Sequence, residues 1–266
     1  MIIGKKEFDT KHHIYIMGIL NITPDSFSDG GSYNHLDKAL FRVENMIKEG
    51  MDILDIGGES TRPGYQMITQ EEEINRVIPV IEAVKHRFDV PVSLDTYKAN
   101  VARAGIEAGS DMINDIWGLL YDTDMAEVIA GANVACCLMH NKEEANYHDF
   151  MEEVKSDLYK SLEVAEKAGI GKDKIILDPG VGFGKTYEQN LEVIRRIGEL
   201  KKIGYPVLLG TSRKSVIGLT LDLPIEERLT GTLATSAYGI MQGCSFLRVH
   251  DVREHRELIK MMKAIM

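Results

Sequence analysis

Asp95, Asn114 and Asp178 each stand where a short apolar run stops, after Val92–Leu94, Met112–Ile113 and Ile175–Leu177. An ionised carboxylate only accepts hydrogen bonds, whereas an amide donates and accepts. Two carboxylates and an amide converging on one pocket therefore suit a flat heterocycle with several N–H donors. The opposite charge comes from Lys214, in Gly210-Thr-Ser-Arg-Lys-Ser215, and Arg248, in Arg248-Val-His-Asp251. Arginine meets oxyanions with a planar fork and lysine with a point charge. A helix beginning near Ser215 would add backbone N–H groups as a further anion site. The residue types together suggest a donor-rich heterocycle beside an anionic group, with Lys214 donating to a ring carbonyl or nitrogen. Each also has an ordinary role in isolation. Asp95 would cap a helix, Asp178 would steady its Pro-Gly turn, Asn114 would satisfy backbone at a strand end, and Lys214 and Arg248 would form a solvated edge. Only convergence in space separates the two readings.

The elements that would bring these residues together are strands of one barrel. Eight apolar runs recur along the chain: Tyr15–Leu20, Ile53–Leu54, Val92–Leu94, Met112–Ile113, Val134–Met139, Ile175–Leu177, Val207–Leu209 and Phe246–Leu247. Stretches with helical periodicity separate most of them, such as Leu36, Leu40, Val43 and Ile47, and later Val154, Leu158, Leu162 and Ala165. Strands alternating with helices, each apolar along its length, imply parallel βα units buried on both faces. Eight units in 266 residues predict a single (β/α)8 TIM barrel spanning 1–266, with chemistry at the C-terminal ends of the strands. Gly50, Gly109, Gly131 and Gly169 are the expected left-handed helix caps. The segment before Ile14 is expected to cover the bottom of the barrel.

Two connections are long, after the first and second strands: Asn21 to Asn34, and Gly57 to Gly64. Placed at the catalytic face and carrying Asp25, Asp29, Thr61 and Arg62, they read as binding loops rather than decoration. Asp178-Pro-Gly-Val-Gly-Phe-Gly-Lys-Thr186 looks at first like a nucleotide P-loop. That motif needs glycine at position 179, where this chain has proline. The loops after strands seven and eight stand instead where barrels often bind phosphate.

Composition narrows the class further. A net charge of −10 disfavours nucleic acid or an anionic membrane as a general partner. No apolar stretch approaches membrane-spanning length, and Met1–Thr10 lacks the apolar core of a signal peptide. Three cysteines, two of them adjacent, give neither a disulfide framework nor paired metal-ligand spacing. A cytoplasmic protein is expected.

Five segments then resemble the dihydropteroate synthase family, in order and over nearly the whole chain. They are Met17–Gly31, Asp55–Gly64, Asp178–Thr186, Gly210–Ser215 and Arg248–Asp251. One departure is Lys142, where the family often has arginine. The resemblance implies condensation of 6-hydroxymethyl-7,8-dihydropterin pyrophosphate with 4-aminobenzoate, on the route to folate. It implies a pterin site of Asp95, Asn114, Asp178 and Lys214, with Ile116, Met139 and Phe183 as apolar walls. Asn21, Arg248 and His250 would take the pyrophosphate, with Asn21 also meeting Mg²⁺. Phe27, Thr61, Arg62, Pro63, Phe183, Ser212 and Ser215 would line the aminobenzoate site. Asp95, Lys214, Asp29 and Arg248 would carry the catalysis. A homodimer and competition by sulfonamides, which mimic 4-aminobenzoate, are further implications. Two other readings share a pterin-binding barrel: methyl transfer from a reduced folate to a corrinoid, and a non-catalytic pterin binder. The Ser-Arg-Lys-Ser loop and the long first loop weigh against the former. Arg62, Phe183, Lys214 and Ser215 weigh against the latter.

Overall fold

All eight apolar runs become parallel strands. A computed structural model describes residues 1–22, 32–59 and 67–266. A hairpin of β1 (Ile2–Ile3) and β2 (Lys6–Glu7) comes first. The barrel strands are β3 (Tyr15–Asn21), β4 (Ile53–Gly57), β5 (Val92–Asp95), β6 (Met112–Asp115), β7 (Ala135–Met139), β8 (Ile175–Asp178), β9 (Leu208–Leu209) and β10 (Phe246–Val249). They pair in the order β8-β7-β6-β5-β4-β3-β10-β9. A parallel bridge between Leu177 and Val207 closes the ring, supported by Leu177 N–H donating to Pro206 O at 2.9 Å. The fold is a (β/α)8 TIM barrel.

Around it lie α1 (Ser32–Glu49), α2 (Gln70–Arg87), α3 (Ala99–Glu107), α4 (Met125–Ala132) and α5 (Phe150–Ala168). The later helices are α6 (Tyr187–Arg195), α7 (Gly198–Lys201), α8 (Ser215–Leu221), α9 (Leu229–Met241) and α10 (Val252–Ile265). Local sequence explains their ends. Thr69 and Asp149 accept from the N–H groups of Glu72 and Glu152, and Thr186 with Gln189 forms a reciprocal capping box. Gly169 closes α5 in the left-handed region, as expected. Gly131 does not close its helix. It lies inside α4, and Asn133 takes the left-handed cap at φ 54°. Asparagine is the residue next best suited to that conformation, so the terminus falls two residues later.

Side chains alternate along each strand. Ile16, Leu54, Leu94, Ile113, Cys136, Leu177 and Leu247 face the helices in one large core. Met17, Ile53, Met112, Cys137, Ile176, Leu208 and Phe246 fill the barrel's lower interior with Ile3 and Phe8. The N-terminal segment is therefore the expected bottom cover, with the Phe8 ring edge-on to Tyr15 at 4.7 Å. Among the described residues, no helix is long and apolar enough to cross a membrane.

Candidate active site at the C-terminal mouth of the barrel

Two residues beyond the lower interior position, five of the eight strands carry a polar side chain. Ile53 is followed by Asp55, Ser93 by Asp95, Met112 by Asn114, Ile176 by Asp178 and Phe246 by Arg248. Because the period is two, these side chains point inward one layer nearer the mouth. Register brings Asp95 opposite Asn114, and Asp178 opposite Met139. The expected convergence is therefore present, and its hub is Arg248. Its Nε donates to Asp55 Oδ2 and its Nη2 to Asp95 Oδ2, both at 2.6 Å. Asn114 Nδ2 approaches Asp55 Oδ2 at 3.5 Å.

This layer is short of donors. Asp55 Oδ1 and Asp95 Oδ1 are buried and accept no hydrogen bond from the described residues. A buried acceptor without a partner is costly unless a ligand supplies one. Both oxygens are thus suited to the N–H groups of a heterocycle. Burial raises the Asp95 carboxyl to about 7, against the pull of Arg248 and with the push of Asp55. Burial also raises Asp178, opposed chiefly by Lys214. Asp95 is thus poised near neutrality rather than fully committed. Arg248 loses some charge stabilisation by burial, but Asp55 and Asp95 more than offset that and hold it protonated.

The isolated roles are resolved individually. Asp95 does not cap the following helix, because α3 begins at Ala99 with Lys98 in the cap position. Asp178 does steady its turn, its Oδ1 accepting from Gly180 N–H at 2.7 Å. That leaves Oδ2 near Gly210, where a Cβ would stand 3.8 Å from it and 3.9 Å from Lys214 Nζ. Lys214 donates to Val181 O and lies 4.7 Å from the centre of the Phe183 ring. Burial lowers its ammonium to about 8.

Ile116 and Met139 are buried in one apolar cluster that Phe183 joins, together with Tyr97 and Trp117. Asn21 ends β3, and its Oδ1 and Asp95 Oδ2 each lie 3.7 Å from the point where a Gly57 Cβ would stand. His250 is held by the loop after β9. Its Nδ1 meets Ser212 Oγ at 2.9 Å, and its backbone N–H donates to the same hydroxyl. Arg213, in the left-handed region at φ 57°, is clamped by the Asp251 carboxylate, tying the loop after β9 to the one after β10. Ser215 is exposed as the first residue of α8. Asp25, Phe27, Asp29, Thr61, Arg62 and Pro63 lie outside the described residues. Lys142, given no role from sequence, pairs with Glu153 at 2.9 Å.

The pterin binding enzyme family matches residues 17–250, from β3 to just past β10. The dihydropteroate synthase of Clostridium beijerinckii is 57% identical over 266 residues, covering 100% of this chain and 99% of the relative. The chain belongs to the dihydropteroate synthase family. A family structure from Clostridium difficile, in the presence of pteroic acid, superposes with a TM-score of 0.95 at 52% identity, covering 97% of this chain and 99% of that one. The Xanthomonas albilineans enzyme with 4-aminobenzoic acid gives 0.91 at 40% identity, covering 95% and 93%.

Sequence reasoning missed Asp55 as a partner of Arg248, although it ends an apolar run as Asp95 does. It also missed a buried cluster beside the mouth. There Lys98 Nζ donates to Glu59 Oε2 at 2.5 Å and Glu73 Oε2 at 2.7 Å, while Tyr97 OH donates to Glu59 Oε1 at 2.7 Å. No local signal marks that cluster, since the turn after β4, α2 and the turn after β5 each supply part of it.

Proposed function

We propose that this chain condenses 6-hydroxymethyl-7,8-dihydropterin pyrophosphate with 4-aminobenzoate, giving 7,8-dihydropteroate and pyrophosphate. The observation that carries the reading is the donor-poor layer of Asp55, Asp95, Asn114 and Asp178 gathered around Arg248. A pterin edge is rich in N–H donors and complements it, with Ile116, Met139 and Phe183 against the ring and Lys214 donating to its acceptors. Asn21, Arg248 and His250 would face the pyrophosphate.

The bond that breaks joins the pterin methylene carbon to a pyrophosphate oxygen, and the electron pair leaves with that oxygen. Arg248 stabilises the departing anion from a site largely closed to water, where fixed charge is most effective. In an SN1-like sequence, a cation delocalised over the pterin remains, and Asp95 and Asp178 stabilise it. The arylamine nitrogen then bonds to the methylene carbon and releases a proton. It needs orientation more than activation. Ser215 and the preceding loop would receive its carboxylate, with Ser212 nearby. Phe27, Thr61, Arg62 and Pro63 would complete that site, and Asp29 would act from the first loop.

Mg²⁺ fits this arrangement as an ion carried with the substrate. Among the described residues no three His, Cys, Asp or Glu side chains gather to hold a cation. Magnesium commonly binds through few protein oxygens plus substrate phosphates, so the Asn21 side-chain oxygen and the pyrophosphate would share it. Bound there, it would supply counter-charge to the leaving group. Cytoplasmic location rests on the sequence pattern and a homodimer on the family resemblance, and light scattering of the purified chain checks the latter. Sulfonamides would compete with 4-aminobenzoate.

The test is pyrophosphate release with Mg²⁺ and dihydropterin pyrophosphate, with and without 4-aminobenzoate. Release that requires 4-aminobenzoate and yields dihydropteroate supports the synthase. Tight pterin binding without release would favour methyl transfer or a non-catalytic binder. For the SN1-like order, ¹⁸O in the bridging position should scramble into non-bridging positions before the arylamine is added. No scrambling at a turnover-competent site would contradict it.

A further inference from the structure

One half-buried cation near the mouth takes no part in the reaction described above. Lys185, in the loop from β8 to α6, directs its ammonium to His140 Nδ1 at 2.8 Å, Gly180 O at 2.9 Å and Phe183 O at 3.0 Å. A fourth acceptor, His140 O, lies further off at 3.5 Å, and none of the described residues gives the ammonium a carboxylate in ion-pair contact. With Nδ1 accepting, His140 carries its proton on Nε2, facing Asp157 Oδ2 at 3.4 Å. An ammonium in such a place loses hydration that an apolar side chain would not lose. What it gains is a set of convergent bonds to backbone carbonyls that no apolar side chain makes.

Those bonds close a strap between the end of β7 and the loop after β8. The rest of the loop is held by neighbours. Asn190 Oδ1 accepts from Gly182 N–H, its Nδ2 donates to Thr186 O at 2.8 Å, and Tyr147 OH donates to Gly184 O at 2.7 Å. Gly180, at φ 69°, passes so close to the His140 carbonyl that a Cβ would collide with it. Three groups facing the proposed pterin pocket hang on this loop. They are Asp178, bonded to Gly180 N–H; Val181 O, which accepts from Lys214; and the Phe183 ring beside the Lys214 ammonium.

We infer that Lys185 is a positioning residue for the pterin site, fixing the loop that sets where Phe183 and Lys214 stand. This rests on the pterin reading above. The titratable groups facing it are His140 at the end of β7, Lys142 and Tyr147 in the loop that follows, Asp157 on α5, Asp178 at the end of β8, and Lys214 ahead of α8. Burial foremost, with Lys214 and Lys142 repelling and Asp178 and Asp157 opposing, brings the Lys185 ammonium down to about 7. Burial, then Lys185, keeps His140 neutral. The strap is therefore complete at lower pH and loses a donor as pH rises through about 7.

Lys185→Met tests this. It should raise KM for dihydropterin pyrophosphate about tenfold or more, as expected for lost hydrogen bonds to a charged group. The kcat should change less and KM for 4-aminobenzoate only slightly. The ratio of wild-type to variant affinity for dihydropteroate, measured by calorimetry, should be largest below pH 7 and shrink above it. Unchanged pterin KM beside an active wild type would overturn the assignment, as would a lowered melting temperature and active fraction with both KM values intact. If the variant does not fold, ¹⁵N-histidine spectra of the wild type replace it. The His140 resonance should titrate with Lys185, and bound pterin should raise that midpoint. A midpoint indifferent to pterin would overturn the inference. A wild type that binds no pterin would sink the functional reading itself, and this inference with it.

Discussion

The barrel interior has two layers on the same strands, and they differ in almost every physical respect. The lower layer, Met17, Ile53, Met112, Cys137, Ile176, Leu208 and Phe246 under the Ile3–Phe8 cover, is apolar and fully enclosed. The upper layer, two residues further along, is Asp55, Asp95, Asn114, Asp178 and Arg248, with two carboxylate oxygens left for a donor not present in the described chain. A buried ion cluster is weak support for a fold, because desolvation offsets much of the charge attraction. Apolar burial at the bottom therefore supplies stability, and the mouth spends some of it on a preorganised binding surface. Stability and chemistry are separated by two residues of strand.

Substitutions can break this comparison. Arg248→Met should cause the largest effect, lowering turnover about a thousandfold by removing the positive charge that stabilises the leaving group. Pyrophosphate release measures it, and near-normal turnover would remove the upper layer from the chemistry. In the lower layer, Phe8→Ala should destabilise the fold by about 3 kcal/mol in urea unfolding. Both KM values should stay as in the wild type. A changed pterin KM with unchanged stability would mean that the layers are not separate.

The pH profile sharpens the contrast without any substitution. Asp95 has to be ionised to accept N–H donors and to face positive charge, so kcat/KM should fall as pH drops below about 7. Lys214 has to keep its proton to donate, so kcat/KM should fall again above about 8. A narrow optimum near neutrality follows, and a flat profile from pH 6 to 9 would contradict both assignments. The smallest effect is expected at the rim. Ser212→Ala removes one partner of His250 and should raise pterin-pyrophosphate KM only about threefold, as for one modest hydrogen bond.

Much of this was legible in the sequence because each barrel strand is short and buried on both faces. The run of apolar residues then marks the strand, and its end marks the mouth. Asp95, Asn114, Asp178 and Arg248 were found that way. Asp55 was legible as the end of the Ile53–Leu54 run, but its pairing with Arg248 was not, because the two lie 193 residues apart in sequence. Lys185 was hidden by its likeness to a P-loop lysine, whereas its ammonium turns back onto its own loop. The Glu59–Lys98–Glu73 cluster was out of reach, since three elements distant in sequence contribute one charge each. Gly131 misled because glycine is the usual helix stop, and here Asn133 performs that role.

Asp95→Asn tests the central claim most directly, because it keeps the shape of the upper layer and removes one charge. Turnover and dihydropterin pyrophosphate binding would be measured beside the melting temperature. The account predicts turnover lower by about a hundredfold, weakened pterin binding, and a somewhat lower melting temperature, since the Arg248 guanidinium keeps only Asp55 as a charged hydrogen-bond partner. Full turnover with normal pterin binding would contradict it.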